Sequence, residues 1–309
     1  MHMVDRMLYA GEVPWHGLGE HVEDCTADTV REIAFPWIVE RKPLYLEGDP
    51  RPIEGFDALT RSDNGYVLTV QPKTYQVVQY QKALEVLEAA AKDGGIRFAS
   101  AGTLDKGRKG WALAYIPSAE FSVAGSEVKP YLLMSTAHDG TMNAQYHFTA
   151  TYVVCNNTLT AALASATDGL RIRHTRNANR RIEDASALVA QARDFFGQFH
   201  QVALNLVARR MNAAQFTGFA RELFPRTPAE ERDGIQVSLH AHNVTKLYCL
   251  GRQRAASNAP GTRWAAYNAV TEYLDHHINR RTPDSRFKAI MFGDGAKVRQ
   301  RALETLLAA

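Results

Sequence analysis

Apolar and polar residues alternate through the middle of the chain, and this pattern predicts an antiparallel β-meander. The alternating runs are rich in β-branched and aromatic residues, which is typical of strands in a half-buried sheet. They cover residues 96–104, 109–116, 120–124, 128–136 and 145–155, and their connections carry the Asp and Gly residues of tight hairpin turns. A meander of this kind buries one face against helices, which predicts an α+β layer.

Segments with a helical period of three to four residues frame the meander. Apolar residues at that spacing predict a helix over Tyr80–Lys92, before the meander. After it, residues 156–158 offer helix caps, and residues 159–166 follow as an alanine-rich helix. Nearer the start of the chain we expect a short helix and then two strands, over residues 26–35, 37–46 and 66–70.

After residue 181 the helical period continues without strand-like runs, which predicts a mainly helical second half. The apolar stripe of residues 182–207 is wide enough to face a core, although it would also suit a coiled-coil seam between subunits. Further helices are predicted over residues 213–223, 240–250, 264–278 and 296–307. The predicted architecture is α+β, with an antiparallel sheet in a domain of residues 1–170 and a mainly helical region over residues 171–309 packed on it.

Composition narrows the class of protein. The chain has 309 residues, of which 45% are hydrophobic and 22% charged, so it is long and apolar enough for a sizeable core. Its three cysteines, Cys25, Cys155 and Cys249, lie far apart, which argues against a disulfide scaffold or a cysteine zinc site. With neither a secretory signal nor an apolar run of membrane-spanning length, we expect a soluble, cytoplasmic protein without a membrane partner.

Positive side chains cluster in two segments, although the net charge of +3 does not by itself indicate a nucleic acid partner. The longer segment has no acidic residue between Asp168 and Glu183; the shorter one lies at a predicted hairpin turn. Guanidinium groups bind phosphate bidentately, and several cations together release counterions from a nucleic acid. The predicted nucleic-acid-binding residues are therefore Lys106, Arg108, Lys109, Arg171, Arg173, His174, Arg176, Arg180 and Arg181.

Each part of this prediction has a plainer alternative. The arginines would also suit a solvated surface on which they pair with acids. His174 adds charge only below about pH 6.5 if its pKa is unperturbed. Trp111 follows the shorter segment and would suit base stacking, but its place in a predicted strand favours packing in the core.

Catalytic chemistry has weaker support in the sequence. Glu272 and His276 lie one helical turn apart and would suit metal chelation, which leaves a metal-dependent nuclease or hydrolase as an alternative. The sequence has no H-E-x-x-H, phosphate-binding loop or serine-hydrolase motif, so we predict no catalytic residues, metal or cofactor. A further alternative is a partner-binding protein, such as an inhibitor of a host defence, that binds through the helix at residues 182–207.

Several short motifs occur in a fixed order along the chain. They are Trp15-His16-Gly17-Leu18-Gly19, Ala101-Gly102-Thr103-Leu104, His138-Asp139-Gly140, Val153 to Leu159, His174-Thr175, and Gly261-Thr262-x-Trp264 continuing from Asn268 to His276. In this order they resemble the phage- and plasmid-carried proteins of the domain-of-unknown-function 932 family. The resemblance implies a mobile element in a bacterial host, and it brings no activity, cofactor or catalytic residue.

A helix, a meander and basic segments also give a weaker likeness, at the level of fold, to the single-strand annealing proteins of phages. Fold alone does not decide function. Together with the mobile-element resemblance, it leads to a hypothesis of a homo-oligomeric, non-enzymatic protein. This protein would bind single-stranded DNA and support recombination or replication.

Overall fold

A computed structural model describes residues 4–11, 18–92, 95–152, 157–159, 169–172, 188–251, 259–278 and 294–308. The chain divides into two compact units. The first comprises Met1–Ser118, Tyr131–Phe148 and Thr167–Ala192, and the second comprises Ala119–Pro130, Thr149–Ala166 and Arg193–Ala309. Antiparallel sheets lie in the N-terminal half and mostly helices in the C-terminal half, so the α+β prediction is confirmed. The predicted boundary at residue 170 stays a prediction.

The described strands are, in chain order, β1 (Val4–Tyr9), β2 (Glu20–His21), β3 (Val39–Tyr45), β4 (Pro52–Arg61), β5 (Val67–Pro72), β6 (Arg97–Leu104), β7 (Lys109–Tyr115), β8 (Phe121–Val123), β9 (Ser126–Ala137), β10 (Ala144–Tyr152), β11 (Asn157–Leu159) and β12 (Gly169–Ile172). The larger sheet has the order β11-β10-β9-β7-β6-β1-β2, with β12 also pairing with β10 and β8 with β9. A smaller sheet has the order β3-β4-β5. The predicted meander is therefore present as β6 to β10.

The described helices are α1 (Ala27–Ile33), α2 (Tyr80–Lys92), α3 (Leu188–Ala208), α4 (Ala213–Leu223), α5 (Pro228–Arg232), α6 (Leu239–Leu250), α7 (Arg263–Glu272) and α8 (Asp294–Ala308). A 3-10 turn forms at Pro117–Ala119 and a π-helical turn at Tyr273–His277. In the part of the chain that the structure describes, no helix combines the length and the apolar character needed to cross a membrane.

In the first unit, helix α2 covers the sheet because its apolar residues recur on one face. Ala83, Leu84 and Leu87 are fully buried, and the helix lies against β7. Tyr146 of β10 donates a hydrogen bond to the carbonyl of Ala83 over 2.7 Å. The predicted layer of helix on meander is thus built by side chains from both elements.

In the second unit, α7 is buried on all sides, from Trp264 to the π-helical turn at Asp275. Thr262 caps its N-terminus by accepting a hydrogen bond from the amide of Ala265. This cap gives the Gly-Thr-x-Trp motif a structural role, since it starts a helix that the rest of the unit encloses. A capping box between Thr227 and Glu230 begins α5.

Several elements differ from the prediction. Asn157 and Thr158, predicted as helix caps, lie on strand β11 and pair with β10; the remaining residues of the predicted helix, 160–166, lie outside the described residues. Strands β1, β4 and β12 were not predicted from the pattern. Each pairs with a strand that the pattern did predict, so long-range pairing supplies a strand conformation that the local signal does not show.

Candidate functional site

The register of the larger sheet brings distant parts of the first unit to one end of that sheet. Residues 105–108 join β6 to β7, and Lys109 of β7 pairs with Ala137, the last residue of β9. The neighbouring strand β10 begins at Ala144, which pairs with Ile172 at the end of β12. The turn before β7 and the last residue of β12 therefore lie at the same end of the larger sheet. They are separated by three strand spacings, or about 14 Å.

The turn at this end, which we call the basic hairpin (residues 105–109), has an uncommon backbone conformation. Asp105, Lys106 and Gly107 have φ of 55°, 60° and 87°, and the amide of Gly107 donates to the carbonyl of Leu104 over 3.1 Å. Positive φ at both central residues matches the hairpin turns that follow the twist of a sheet. For a lysine this region is uncommon and costs about 1–3 kcal/mol, and such strain concentrates at functional sites.

Three separate donors hold the carbonyl groups of the basic hairpin. The guanidinium of Arg61 donates to the carbonyl of Lys106 over 3.1 Å, and the hydroxyl of Tyr80 donates to that of Gly107 over 2.8 Å. The amide of His138 donates to the carbonyl of Arg108, also over 2.8 Å. Because the donors come from β4, from α2 and from the segment after β9, the hairpin is fixed from three directions.

Arg61 is the most highly connected of these donors. Its side chain is 4% exposed and forms ion pairs of 2.5 Å with Asp5 and 2.7 Å with Asp63, and its guanidinium lies 4.5 Å from the centre of the Trp37 ring system. The hydrogen bonds from Arg61 hold the pKa of Asp63 below its ordinary value. Two carboxylates balance its charge, so Arg61 holds the hairpin in place rather than offering charge to a ligand.

Lys106 and Arg108, by contrast, present their charges around an aromatic ring. The Nζ atom of Lys106 lies 4.9 Å, and the Cζ atom of Arg108 5.7 Å, from the centroid of the Tyr66 ring. Arg108 also donates to the carbonyl of Leu68 over 2.9 Å and to the Tyr66 hydroxyl over 3.3 Å. All these partners are neutral, and within the described residues neither cation forms an ion pair with a carboxylate. Both therefore keep a charge that an anion can balance.

Lys109 and Trp111 have different surroundings from these two cations. The Nζ atom of Lys109 lies 3.7 Å from a carboxylate oxygen of Asp105, and the two side chains are 16% and 20% exposed. Part of the Lys109 charge is therefore balanced within the turn. Trp111 is 1% exposed, which confirms the prediction that it packs in the core.

Arg171 is the one predicted binding residue of the longer segment that the structure describes. It lies on β12 and pairs with Gln145 of β10, next to the end of the sheet that carries the basic hairpin. The other predicted members lie outside the described residues: Arg173, His174, Arg176, Arg180 and Arg181. Sequence reasoning missed Tyr66 and Arg61, because neither lies within a run of positive charge.

The His138-Asp139-Gly140 motif follows directly after β9 and lies beside the basic hairpin. His138 is fully buried, and its ring centroid lies 4.3 Å from that of Tyr80. Asp139 accepts hydrogen bonds from the amide and the hydroxyl of Thr141, and Gly140 has a φ of 76°. The residues after His138 thus form a side-chain-supported turn.

The predicted metal-binding pair, Glu272 and His276, lies in the second unit, where Glu272 ends α7 and His276 lies in the π-helical turn. Glu272 is 1% exposed, and its carboxylate lies 3.3 Å from the ring of His277, which follows it in the π-helical turn. Asp275 forms a 2.7 Å ion pair with Arg299, in which both side chains are at most 1% exposed. Among the described residues, no group of three or more His, Cys, Asp or Glu side chains is arranged to hold a metal ion.

Comparison with known proteins identifies one family. The family model described as a domain of unknown function (DUF932) matches residues 67–291, about three quarters of the chain. No curated protein and no solved structure matches the chain. The matched range contains the basic hairpin, all of the predicted longer basic segment and helix α7.

Proposed function

The chain belongs to the DUF932 family, and since the description of that family names no activity, we propose a function from the residues at the end of the first sheet. The proposal is that the protein binds single-stranded DNA through the basic hairpin and through the segment of Arg171, Arg173, His174, Arg176, Arg180 and Arg181. It would act as a homo-oligomeric binding protein in recombination or replication of a mobile element in the bacterial cytoplasm. Lys106 and Arg108 are the cations whose surroundings support this role most directly.

The observation that carries the proposal is a fixed turn that presents two cations with neutral partners. Three hydrogen bonds to consecutive carbonyls hold the backbone from Lys106 to Arg108. Because the backbone is already ordered, less conformational entropy is lost when the side chains bind a phosphate. The same end of the sheet is where Ile172 leads into the arginine-rich segment, which supports a shared surface for one strand of DNA.

The expected binding is tolerant of sequence and sensitive to salt. Contacts to the phosphate backbone release counterions and carry no information about the bases. If four cations contact the strand, log K should fall with log salt at a slope of about −3. Each phosphate contact that is removed should lower the magnitude of that slope by roughly 0.7.

Fluorescence anisotropy with a labelled oligothymidine tests the proposal. The test variants are Lys106→Ala with Arg108→Ala, and a second variant in which the five arginines from Arg171 to Arg181 become alanine. The control is Arg221→Ala with Arg232→Ala, two exposed arginines of the second unit, which matches the first test variant in the charge removed. We expect both test variants to bind more weakly with a shallower salt slope, and the control to bind as the parent does.

Two results would refute the proposal. The first is an absence of binding by the unaltered protein at low salt. The second is binding that neither test variant weakens relative to the control, because the charges would then act elsewhere.

A further inference from the structure

Tyr66 is an aromatic residue at the surface of the basic hairpin. It follows the turn between β4 and β5, where its amide donates to the side chain of Asn64 over 2.9 Å and its carbonyl accepts from the amide of Arg61 over 3.0 Å. Its backbone is therefore attached to the same arginine that holds the carbonyl of Lys106. The backbones that carry the ring and the Lys106 side chain are therefore held in a fixed relation to each other.

Three other aromatic residues beside the hairpin are enclosed in the core. Trp37, Tyr80 and Trp111 are 2%, 1% and 1% exposed, whereas Tyr66 is partly exposed. The Lys106 ammonium over the Tyr66 ring is the end of a flexible, exposed side chain. A ring covered by such a group can exchange the ammonium for a flat partner, while a ring packed in the core cannot.

An aromatic ring with one cation over it and a second bonded to its hydroxyl group matches the chemistry of a single nucleic acid strand. Bases present flat π-faces that stack on aromatic side chains, and the phosphates beside each base carry the negative charge. A duplex keeps its bases stacked on each other, so an aromatic side chain reaches them only after unpairing. The arrangement therefore suits an unpaired base with a phosphate on either side.

We propose that Tyr66 stacks on an unpaired base of the bound strand while Lys106 and Arg108 contact the neighbouring phosphates. This inference rests on the proposed binding of single-stranded DNA, and it adds the reason why a single strand is preferred over a duplex. Lys106 leaves the ring for a phosphate when the base arrives. Arg108 keeps its hydrogen bond to the Tyr66 hydroxyl and so holds the ring edge in place.

Two substitutions separate stacking from the hydroxyl group. Tyr66→Phe keeps the ring and loses the hydrogen bond with Arg108, whereas Tyr66→Leu loses the ring but remains apolar. Each is measured against a normal oligothymidine and an abasic strand of the same length, which has the same phosphates and no bases. We expect the Phe variant to bind the normal strand within about twofold of the parent and the Leu variant at least fivefold more weakly.

The abasic strand decides whether the loss comes from stacking. If Tyr66 stacks on a base, the Leu variant and the parent should bind the abasic strand equally, and their salt slopes should agree because no phosphate contact has been removed. If the substitution only loosens the hairpin, the Leu variant should lose the same factor on both strands, and that result overturns the inference.

The outcomes also separate this inference from the proposed function. A parent protein that fails to bind any strand removes both. A parent that binds, and that depends on Lys106 and Arg108 but not on the ring at position 66, leaves the proposed function in place and removes the stacking role. Equal affinity of the parent for single strand and duplex also counts against the stacking role.

Discussion

Replacing Arg61 by alanine should destabilise the first unit, because this side chain joins three of its segments. The change removes ion pairs with Asp5 and Asp63, the hydrogen bond to the carbonyl of Lys106, and the contact with Trp37. Removing one partner of a buried charge pair costs about 3–5 kcal/mol. Since Asp5 and Asp63 keep 28% and 29% exposure and regain water, we expect the lower end, about 3 kcal/mol.

Urea unfolding followed by tryptophan fluorescence measures this loss. Arg61→Lys keeps the charge but not the planar fork, so it should lose about 1–2 kcal/mol. The matched control is Arg51→Ala, which removes an exposed ion pair with Asp49 in the connection between β3 and β4 and should leave the free energy of unfolding nearly unchanged. A loss below about 1 kcal/mol for Arg61→Ala would refute the view that Arg61 stabilises the hairpin and its carboxylates.

The pH dependence of unfolding gives a second measure of the same interaction. Arg61 holds the pKa of Asp63 below its ordinary value, and the ordinary value is about 3.9. The stabilisation from this pair is therefore complete above about pH 4 and is lost as the pH falls through the lower pKa of the folded state. In Arg61→Ala the acid limb should flatten, since Asp63 then has nearly the same pKa folded and unfolded. An acid limb unchanged by the substitution would mean that other carboxylates produce it.

Three further changes test other parts of the structure. Gly107→Ala should lower the free energy of unfolding in urea by about 2 kcal/mol or more, because Gly107 has a φ of 87° and a Cβ there would lie 2.5 Å from the buried ring of Trp37. An unchanged unfolding midpoint would contradict this turn geometry. Arg299→Met should lose about 3–5 kcal/mol, because it removes the cation that lies 2.7 Å from the buried Asp275 carboxylate, and it should regain much of that loss when combined with Asp275→Asn. Equal losses in both variants would contradict the pairing. Burial raises the pKa of the Cys25 thiol to about 12. Iodoacetamide at pH 8 should therefore label Cys25 slowly in the folded protein and readily in urea, as measured by mass spectrometry. Rapid labelling of the folded protein would contradict the burial.

The sequence by itself determined the helices and hairpins, because the residues that specify them lie close together along the chain. The predicted bounds of Tyr80–Lys92 and Ala213–Leu223 agree with α2 and α4. Side-chain caps at Thr227 and Thr262, which are local signals of the same kind, start two further helices. Apolar periodicity and capping side chains act within a few residues of each other, so the chain encodes them independently of its fold. The meander from β6 to β10 was predicted for the same reason, since hairpin turns join neighbouring strands.

Only the tertiary structure decided which of the hairpin cations lies beside a carboxylate and which lie beside an aromatic ring. Charge alone placed Lys106, Arg108 and Lys109 together, but their surroundings differ: Lys109 lies beside a carboxylate, while Lys106 and Arg108 surround Tyr66. Tyr66 is about 40 residues from these cations in sequence and lies in the connection from β4 to β5 of the smaller sheet. Side-chain contacts between that connection and the basic hairpin bring the ring and the cations together. Whether a charge is balanced depends on its distance from other charges in space. Those distances are set by the folded structure and cannot be read from the order of residues along the chain.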